Sequence, residues 1–555
     1  MQKLRCPLLW FFLLLMGCFA SAENSPTSPR RALDCSDQTG ILCTEVYDSI
    51  GYKGAYTGHD EPSLLFYSNV GGSGNSSIYR LRLPKDPPTL PKQDGTGGTF
   101  NFQLHPAFWV GMAMCDDQSA PNPGGSLAGP NILCTPDSDS NIFDGSNPTK
   151  PDYIGRHPGT AFMEMQFYPP GAIISCDPTR WCAALNIDSL SENSNTGQGN
   201  NAFCGGAIEY VNFAYIQMDG IPFPPGSPSP LGPFVSTNTE TLFMNSGDEL
   251  IVKLEDTEHG LKVTVNDLTS GQSGFMVASA ANGFAEIRFD PNGTDCNFAT
   301  HNITYDFHPM YATSSEHTRV PWTAHSYNIA FSDEIGHFEY CNAVSAEGGS
   351  CTQASINDPG GPDADDVGCF DAAFNASFGL VPVGGCFGED DDFDGVPYQL
   401  VWPGTFTSVT QDRLLHAQPV RFTSPVFQST GGQTKDYQRV AFEADLPRIE
   451  FSTNPPCQRH IFNPADPHPG SGCVNPPVGA TFYPFYTAAR TDGGGCVWQL
   501  GGAHIPGTIN TFGGSSTTEF GSLLPLAYPA PGGLPTLRFN DFRRVLGKNP
   551  CPQGR

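Results

Sequence analysis

Between Thr160 and Pro169 the sequence runs TAFMEMQFYP, and two of its side chains carry chemistry. Glu164 and Gln166 are two residues apart, so on a β-strand they share one face, while Met163, Met165 and Phe167 share the other. A carboxyl beside an amide is a usable pair. The carboxyl takes and returns a proton, and the amide, which does not titrate, donates to a developing oxyanion. Glu286, in AEIRF at 285–289, is a second acid on a short alternating run. All three residues also fit the plainer role of solvated positions on half-buried strands, where most polar strand residues are found.

Two acidic loops offer a different chemistry. Asp390, Asp392 and Asp394, followed by Gly395, place oxygens at the spacing a calcium loop uses. Val401 stands where an EF-hand has its bidentate Glu, so a structural calcium ion in a loop of another type is expected, with a solvated acidic turn as the alternative. Asp137, Asp139 and Asn141 form a similar run, which Pro148 likewise excludes from the EF-hands. No G-x-S-x-G elbow, phosphate-cradling loop, C-x-x-C pair or zinc-spaced His cluster occurs. The chemistry on offer requires no organic cofactor.

The elements that must position these residues are strands. With 62 Gly and 51 Pro the chain is punctuated every few residues, and short alternating runs lie between the breaks, which predicts an all-β sandwich or barrel. Its 39 Phe and 18 Tyr predict a packed protein rather than a disordered one. Strand-like runs fill 63–290, a Gly- and Asp-rich stretch occupies 352–395, and strands resume after Val396. The expected organisation is a leader at 1–22, an extension at 23–60, a β-sandwich at 61–300, a connection at 301–395 and a second β-rich, disulfide-tied module at 396–555. Residues 247–276 read as an antiparallel hairpin turning at Glu258-His259-Gly260, with Leu250, Val252 and Leu254 on its buried face.

Residues 1–22 look like a secretory signal: Lys3 and Arg5, an apolar run from Leu8 to Met16, then Ala20-Ser21-Ala22. A lipid anchor at Cys18 within LLMGC is the alternative, against the better-formed A-x-A site. Of 18 cysteines, Cys6 and Cys18 fall in this leader, and the even remainder in an exported chain implies disulfides. The pairs Cys176/Cys182, Cys341/Cys351 and Cys457/Cys473 are close enough to close small loops, and Asn75, Asn292, Asn302 and Asn375 sit in glycosylation sequons. With 28 basic against 56 acidic residues the net charge is −28, which argues against a nucleic-acid partner. The expected protein is secreted, works on extracellular protein or glycan, and is free of the membrane once the leader is removed.

The hairpin and its neighbours resemble the glutamic endopeptidases (eqolisins), secreted acid proteases with a concanavalin-like antiparallel β-sandwich, or jelly roll. Gly247-Asp248, then Asn266, Thr269, Gly271, Gln272 and Ser273, are similar to that family's GD strand and N-x-T-x-G-Q-S turn. Ser68-Asn69-Val70-Gly71-Gly72, Tyr79–Pro84 and Phe108-Trp109-Val110-Gly111 resemble further pieces in the family's order. AFMEMQFY corresponds to the strand with the catalytic Gln, and Ala285-Glu286-Ile287-Arg288-Phe289 to the strand with the catalytic Glu, where Ile287 replaces a Trp. The resemblance spans roughly 64–290. It implies Glu286 as acid/base and Gln166 as oxyanion donor, with Glu164 the alternative on the same face. Such sandwiches also serve in glycan-binding or glycan-active proteins, where Trp181, Trp322, Trp402 and Trp498 would offer sugar platforms. The glucanase pattern of several acids on one strand is absent, since E-M-Q-F-Y has one.

Overall fold

A computed structural model describes residues 63–85, 107–117, 134–138, 160–199, 209–223, 237–287, 302–310, 327–333, 341–344, 351–354, 418–445, 486–500, 524–528 and 537–553, with short gaps, and the single residues 410 and 414. The leader with Cys18, the 23–60 extension, Trp322, Trp402 and the loop bearing Asp390, Asp392 and Asp394 lie outside the described residues.

The fold is all-β and antiparallel. One nine-stranded sheet runs in the order Leu524–Tyr528, Leu537–Leu546, Arg439–Asp445, Ser63–Ser68, Tyr327–Asp333, Phe108–Cys115, Thr160–Tyr168, Cys182–Leu190, Glu209–Tyr215. The second sheet runs Ser273–Val277, Gly260–Asp267, Glu249–Thr257, Ser76–Arg82, Arg421–Phe422, Cys496–Leu500, Tyr486–Arg490. A hairpin of Val426–Gln428 and Thr434–Asp436 branches from its Ser76–Arg82 strand. Both sheets mix early and late chain: Ser63–Ser68 pairs with Arg439–Asp445, and Ser76–Arg82 with Arg421–Phe422. The boundary expected at 395/396 therefore does not fall between sheets.

Period-two alternation explains which faces meet. Met163, Met165 and Phe167 of the first sheet and Leu250, Val252 and Leu254 of the second lie in one buried cluster, with Val263 and Val265 on the returning hairpin strand. Burying a side chain of this size contributes about 2 kcal/mol. A one-residue slip of the Thr160–Tyr168 strand would thus forfeit roughly 6 kcal/mol and turn Glu164 into the core. Phe331 stacks on Phe422 at 3.7 Å and on Phe108 at 5.5 Å, joining the two sheets through their middle strands. Trp181 and Trp498 are fully buried, so both belong to the core rather than to an exposed sugar platform.

Among the described residues, disulfides join Cys115 to Cys134, Cys176 to Cys182 and Cys496 to Cys551. Cys176–Cys182 is one of the small loops expected from spacing. Among the described residues no helix is long and apolar enough to cross a membrane. The hairpin turn at 258–260 forms as expected, and Gly260 takes φ +99°. A Cβ there would lie 2.3 Å from the carbonyl oxygen of Ala278, a backbone atom that cannot step aside. Gly260→Ala should therefore cost at least about 1 kcal/mol from the backbone conformation alone. Urea denaturation of the purified protein would show a lowered midpoint with an unchanged slope.

Candidate active site

Glu164 and Gln166 stand on the outer face of the first sheet, opposite its apolar core face. Glu164 pairs across the sheet with Gly111 on one side and Asn186 on the other; Gln166 pairs with Trp109 and Ala184. Gly111 matters because it leaves Glu164 without a side chain opposite it on that strand. The rings of Trp109 and Phe162 close edge to face over this gap, 5.6 Å apart. A Cβ on Gly111 would sit 2.4 Å from the Phe162 ring and 2.5 Å from that of Trp109.

The two polar residues are hydrogen-bonded. Gln166 Nε2 donates to Glu164 Oε2 at 2.7 Å, and Tyr168 donates its hydroxyl to Gln166 Oε1 at 2.6 Å. Three side chains at successive same-face positions thus form a directional chain from phenol to amide to carboxyl. The tyrosine fixes which way the amide points, so Nε2 must face Glu164. Hydrogen bonds in series polarise one another, so the tyrosine also makes the amide a better donor.

Tyr168 is held in turn by its surroundings. It packs with Cys176, Cys182, Ala184 and Tyr215 beneath the small disulfide loop. Asp177 organises that loop by accepting from the backbone N–H groups of Thr179 and Arg180 and from the Arg180 guanidinium at 2.6 Å. Burial pushes the Asp177 carboxyl up, but the Arg180 and Thr179 donors outweigh it and hold the group below its ordinary value. Arg180 also lies over the Phe243 ring, 3.8 Å from its centre. Gln166 is 9% exposed and Glu164 is half-buried, so of the two the acid is the more open to a substrate.

Glu286 occupies a different setting. Among the described residues its strand, Ala285–Ile287, pairs with Asn302–Thr304 in a two-stranded ribbon. The ribbon is clamped by Asn212, whose side-chain amide accepts from Ala285 N and donates to Ala285 O, both at 2.8 Å. Glu286 is fully buried, and neither of its carboxyl oxygens has a hydrogen-bond partner among the described residues. No hydrogen bond therefore joins it to Gln166. Burial pushes its carboxyl well above the ordinary range, and the neighbouring Asp116 and Asp117 push it further. Tyr305 completes the cluster, its phenol raised first by burial and then by Glu286, Asp117 and Asp116.

No family profile matches the chain, and no curated protein matches it significantly. Assignment of the site therefore rests on its geometry.

Tyr168 is the partner that sequence reading does not single out, although its spacing of two from Gln166 is a visible signal. Asp116 and Asp117 are likewise passed over, since their approach to Glu286 is a tertiary contact. A further buried contact joins His308 Nδ1 and Asp256 Oδ1 at 2.8 Å. Burial raises the Asp256 carboxyl, and His308 opposes that shift. Asp137 and Ser138 close onto Asn75: Asn75 Nδ2 donates to Asp137 Oδ1 at 3.1 Å, and Ser138 donates through both its backbone N–H and its hydroxyl to Asn75 Oδ1. The sequon amide of Asn75 is thus already engaged. Among the described residues no group of three His, Cys, Asp or Glu is disposed to hold a metal ion.

Glu286 gives a pH dependence whose sign is fixed. A carboxyl whose folded value is raised binds its proton more tightly in the folded state than in the unfolded chain. Its contribution is fully present below the unfolded value of about 4.3 and is lost as pH rises toward the folded value. Glu286→Gln removes the titrating group and supplies an amide donor toward Asp116 and Asp117. Thermal unfolding of the variant should show a higher Tm than wild type at pH 7 and a nearly equal one at pH 4. The gain scales as about 2–4 °C per kcal/mol relieved, the figure for domains of about 200 residues.

Proposed function

We propose that this protein is a secreted acid hydrolase of peptide bonds whose working pair is Glu164 and Gln166, carried on a concanavalin-like sandwich. The observation that carries the proposal is the 2.7 Å hydrogen bond between the amide and a half-buried carboxyl on one sheet face. Two antiparallel sheets sharing one core support the sandwich, and the resemblance to the glutamic endopeptidases supports the chemistry.

The steps follow from the donors and acceptors present. Gln166 Nε2 carries two hydrogens, and one is spent on Glu164 Oε2. The other is free to meet the oxygen of a scissile carbonyl. Glu164, as the carboxylate, takes a proton from water as the water attacks that carbonyl. The tetrahedral oxyanion is met by the amide hydrogen, whose direction Tyr168 has already set. Protonated Glu164 then returns its proton to the leaving amine, and the peptide bond breaks. Gln166 cannot titrate, so the pair keeps its donor at every pH. In this reading Glu286 supports the fold, since its full burial leaves it no contact with a substrate.

Digestion of denatured casein between pH 3 and pH 7 checks the assignment. Wild type should cleave best below about pH 5, where a carboxyl can be found in both protonation states. Glu164→Gln should lower kcat by about 10²-fold or more, the scale of a lost general acid–base group. Gln166→Ala should lower it by about 10²–10³-fold, the scale of a lost oxyanion donor. Glu286→Gln should cleave at the wild-type rate. Loss of cleavage in Glu286→Gln with retention in Glu164→Gln would reverse the roles.

A further inference from the structure

A cleft of about 520 Å³ opens on the second sheet and is lined by Arg80, Arg82, Arg421 and Arg490. On a chain with twice as many acidic as basic residues, one acid among the described residues, Glu249, accompanies these four arginines there. Arg82 and Arg421 are directly opposed across neighbouring strands, and like charges in that position destabilise a sheet. Arg80 lies two residues along from Arg82 on the same face, about 7 Å away at the strand repeat. All four are exposed, and Arg82 Nε donates to Gly247 O at 3.3 Å.

The lining also carries neutral hydrogen-bonding side chains beside the apolar Ala489 and Val497. Gln499 lies directly across from Arg421, and its Oε1 is a buried oxygen with no hydrogen-bond partner. Thr423, Thr491 and Gln553 border the same cleft. Gln553 is pinned in place, donating from Nε2 to Cys496 O at 3.1 Å and from its backbone N–H to Asp436 at 2.7 Å. The Cys496–Cys551 disulfide ties this C-terminal segment to the strand beside it. Phe422 and Leu81 are buried beneath the cleft.

We infer that this cleft binds an acidic polysaccharide, its sulfate or carboxylate groups held by Arg82, Arg421, Arg80 and Arg490 and its hydroxyls by Thr423, Gln499 and Gln553. An arginine offers paired donors matched to such oxyanions. The Arg421–Phe422 strand is internal to its sheet, so a peptide gains no strand edge to pair with here. A polysaccharide lying across the sheet face needs no strand edge. The ionic atmosphere screens the overall negative charge beyond about 10 Å at 0.1 M salt, so the local arginines set the field a bound chain meets.

The test uses the full secreted protein and labelled dextran sulfate, polygalacturonate, neutral dextran and poly-L-glutamate, measured by fluorescence anisotropy at low salt and pH 6. Dextran sulfate or polygalacturonate should bind, neutral dextran should not, and the two acidic polymers tell sulfate from carboxylate. The double variant Arg82→Gln/Arg421→Gln should bind at least tenfold more weakly. Arg180→Gln, the same charge change in the Asp177 loop, should bind as wild type does. A thermal scan supplies a second reading: the bound polymer should raise the Tm of wild type and leave that of the double variant unmoved. Binding indifferent to the double substitution, equal loss in Arg180→Gln, or tighter binding of poly-L-glutamate than of both polysaccharides would each overturn the inference.

Discussion

Phe331 lies flat against Phe422 at 3.7 Å, and Phe108 stacks on Phe331 and on Phe167. These four rings come from four strands far apart in sequence, and they join the first sheet to the second. Because Phe167 and Phe108 are committed to that stack, the odd-numbered side chains of the Thr160–Tyr168 strand must face the core. The even-numbered Glu164, Gln166 and Tyr168 are thereby placed on the opposite face, in line and within hydrogen-bonding reach. The polar chain is thus a consequence of apolar packing on the other side of the same strand.

The same constraint separates the two acids that sequence alone treats as equivalents. Glu164 stands on a strand whose two neighbours hold it in a broad sheet, with its face partly open. Glu286 stands on a ribbon held to the first sheet through one asparagine amide, and it shares a buried space with Asp116, Asp117 and Tyr305. A buried carboxyl whose value is raised contributes stability that is greatest in acid and is lost as pH rises. A half-open carboxyl with a fixed amide beside it is the pair to which we assign the reaction. One fold holds both, and what divides them is access.

Much of the architecture is legible in the sequence because period-two alternation and Gly/Pro punctuation are local signals. The 249–267 hairpin, the Thr160–Tyr168 strand and the Cys176–Cys182 loop can each be read from residues within a few positions. The interleaving of strands after 418 with those before 333 cannot, since strand order depends on contacts between distant segments. The shared face of Glu164 and Gln166 is likewise local and legible. The burial of Glu286 among Asp116 and Asp117 is not, nor is the arginine cleft, which is assembled from strands near 80, 421 and 490. Trp181 shows the limit of residue type as a guide: a tryptophan suited to stacking on sugar is enclosed by the core.

The central claim is that Glu164 and Gln166 meet the substrate. It is tested most directly by the structure of the protein with a peptide phosphinate, whose tetrahedral phosphorus imitates the intermediate of peptide hydrolysis. The account predicts one phosphinate oxygen within hydrogen-bonding distance of Gln166 Nε2 and the other beside the Glu164 carboxyl, with Tyr168 still bonded to Gln166. A phosphinate seated away from this face, or bound against Glu286, would contradict it.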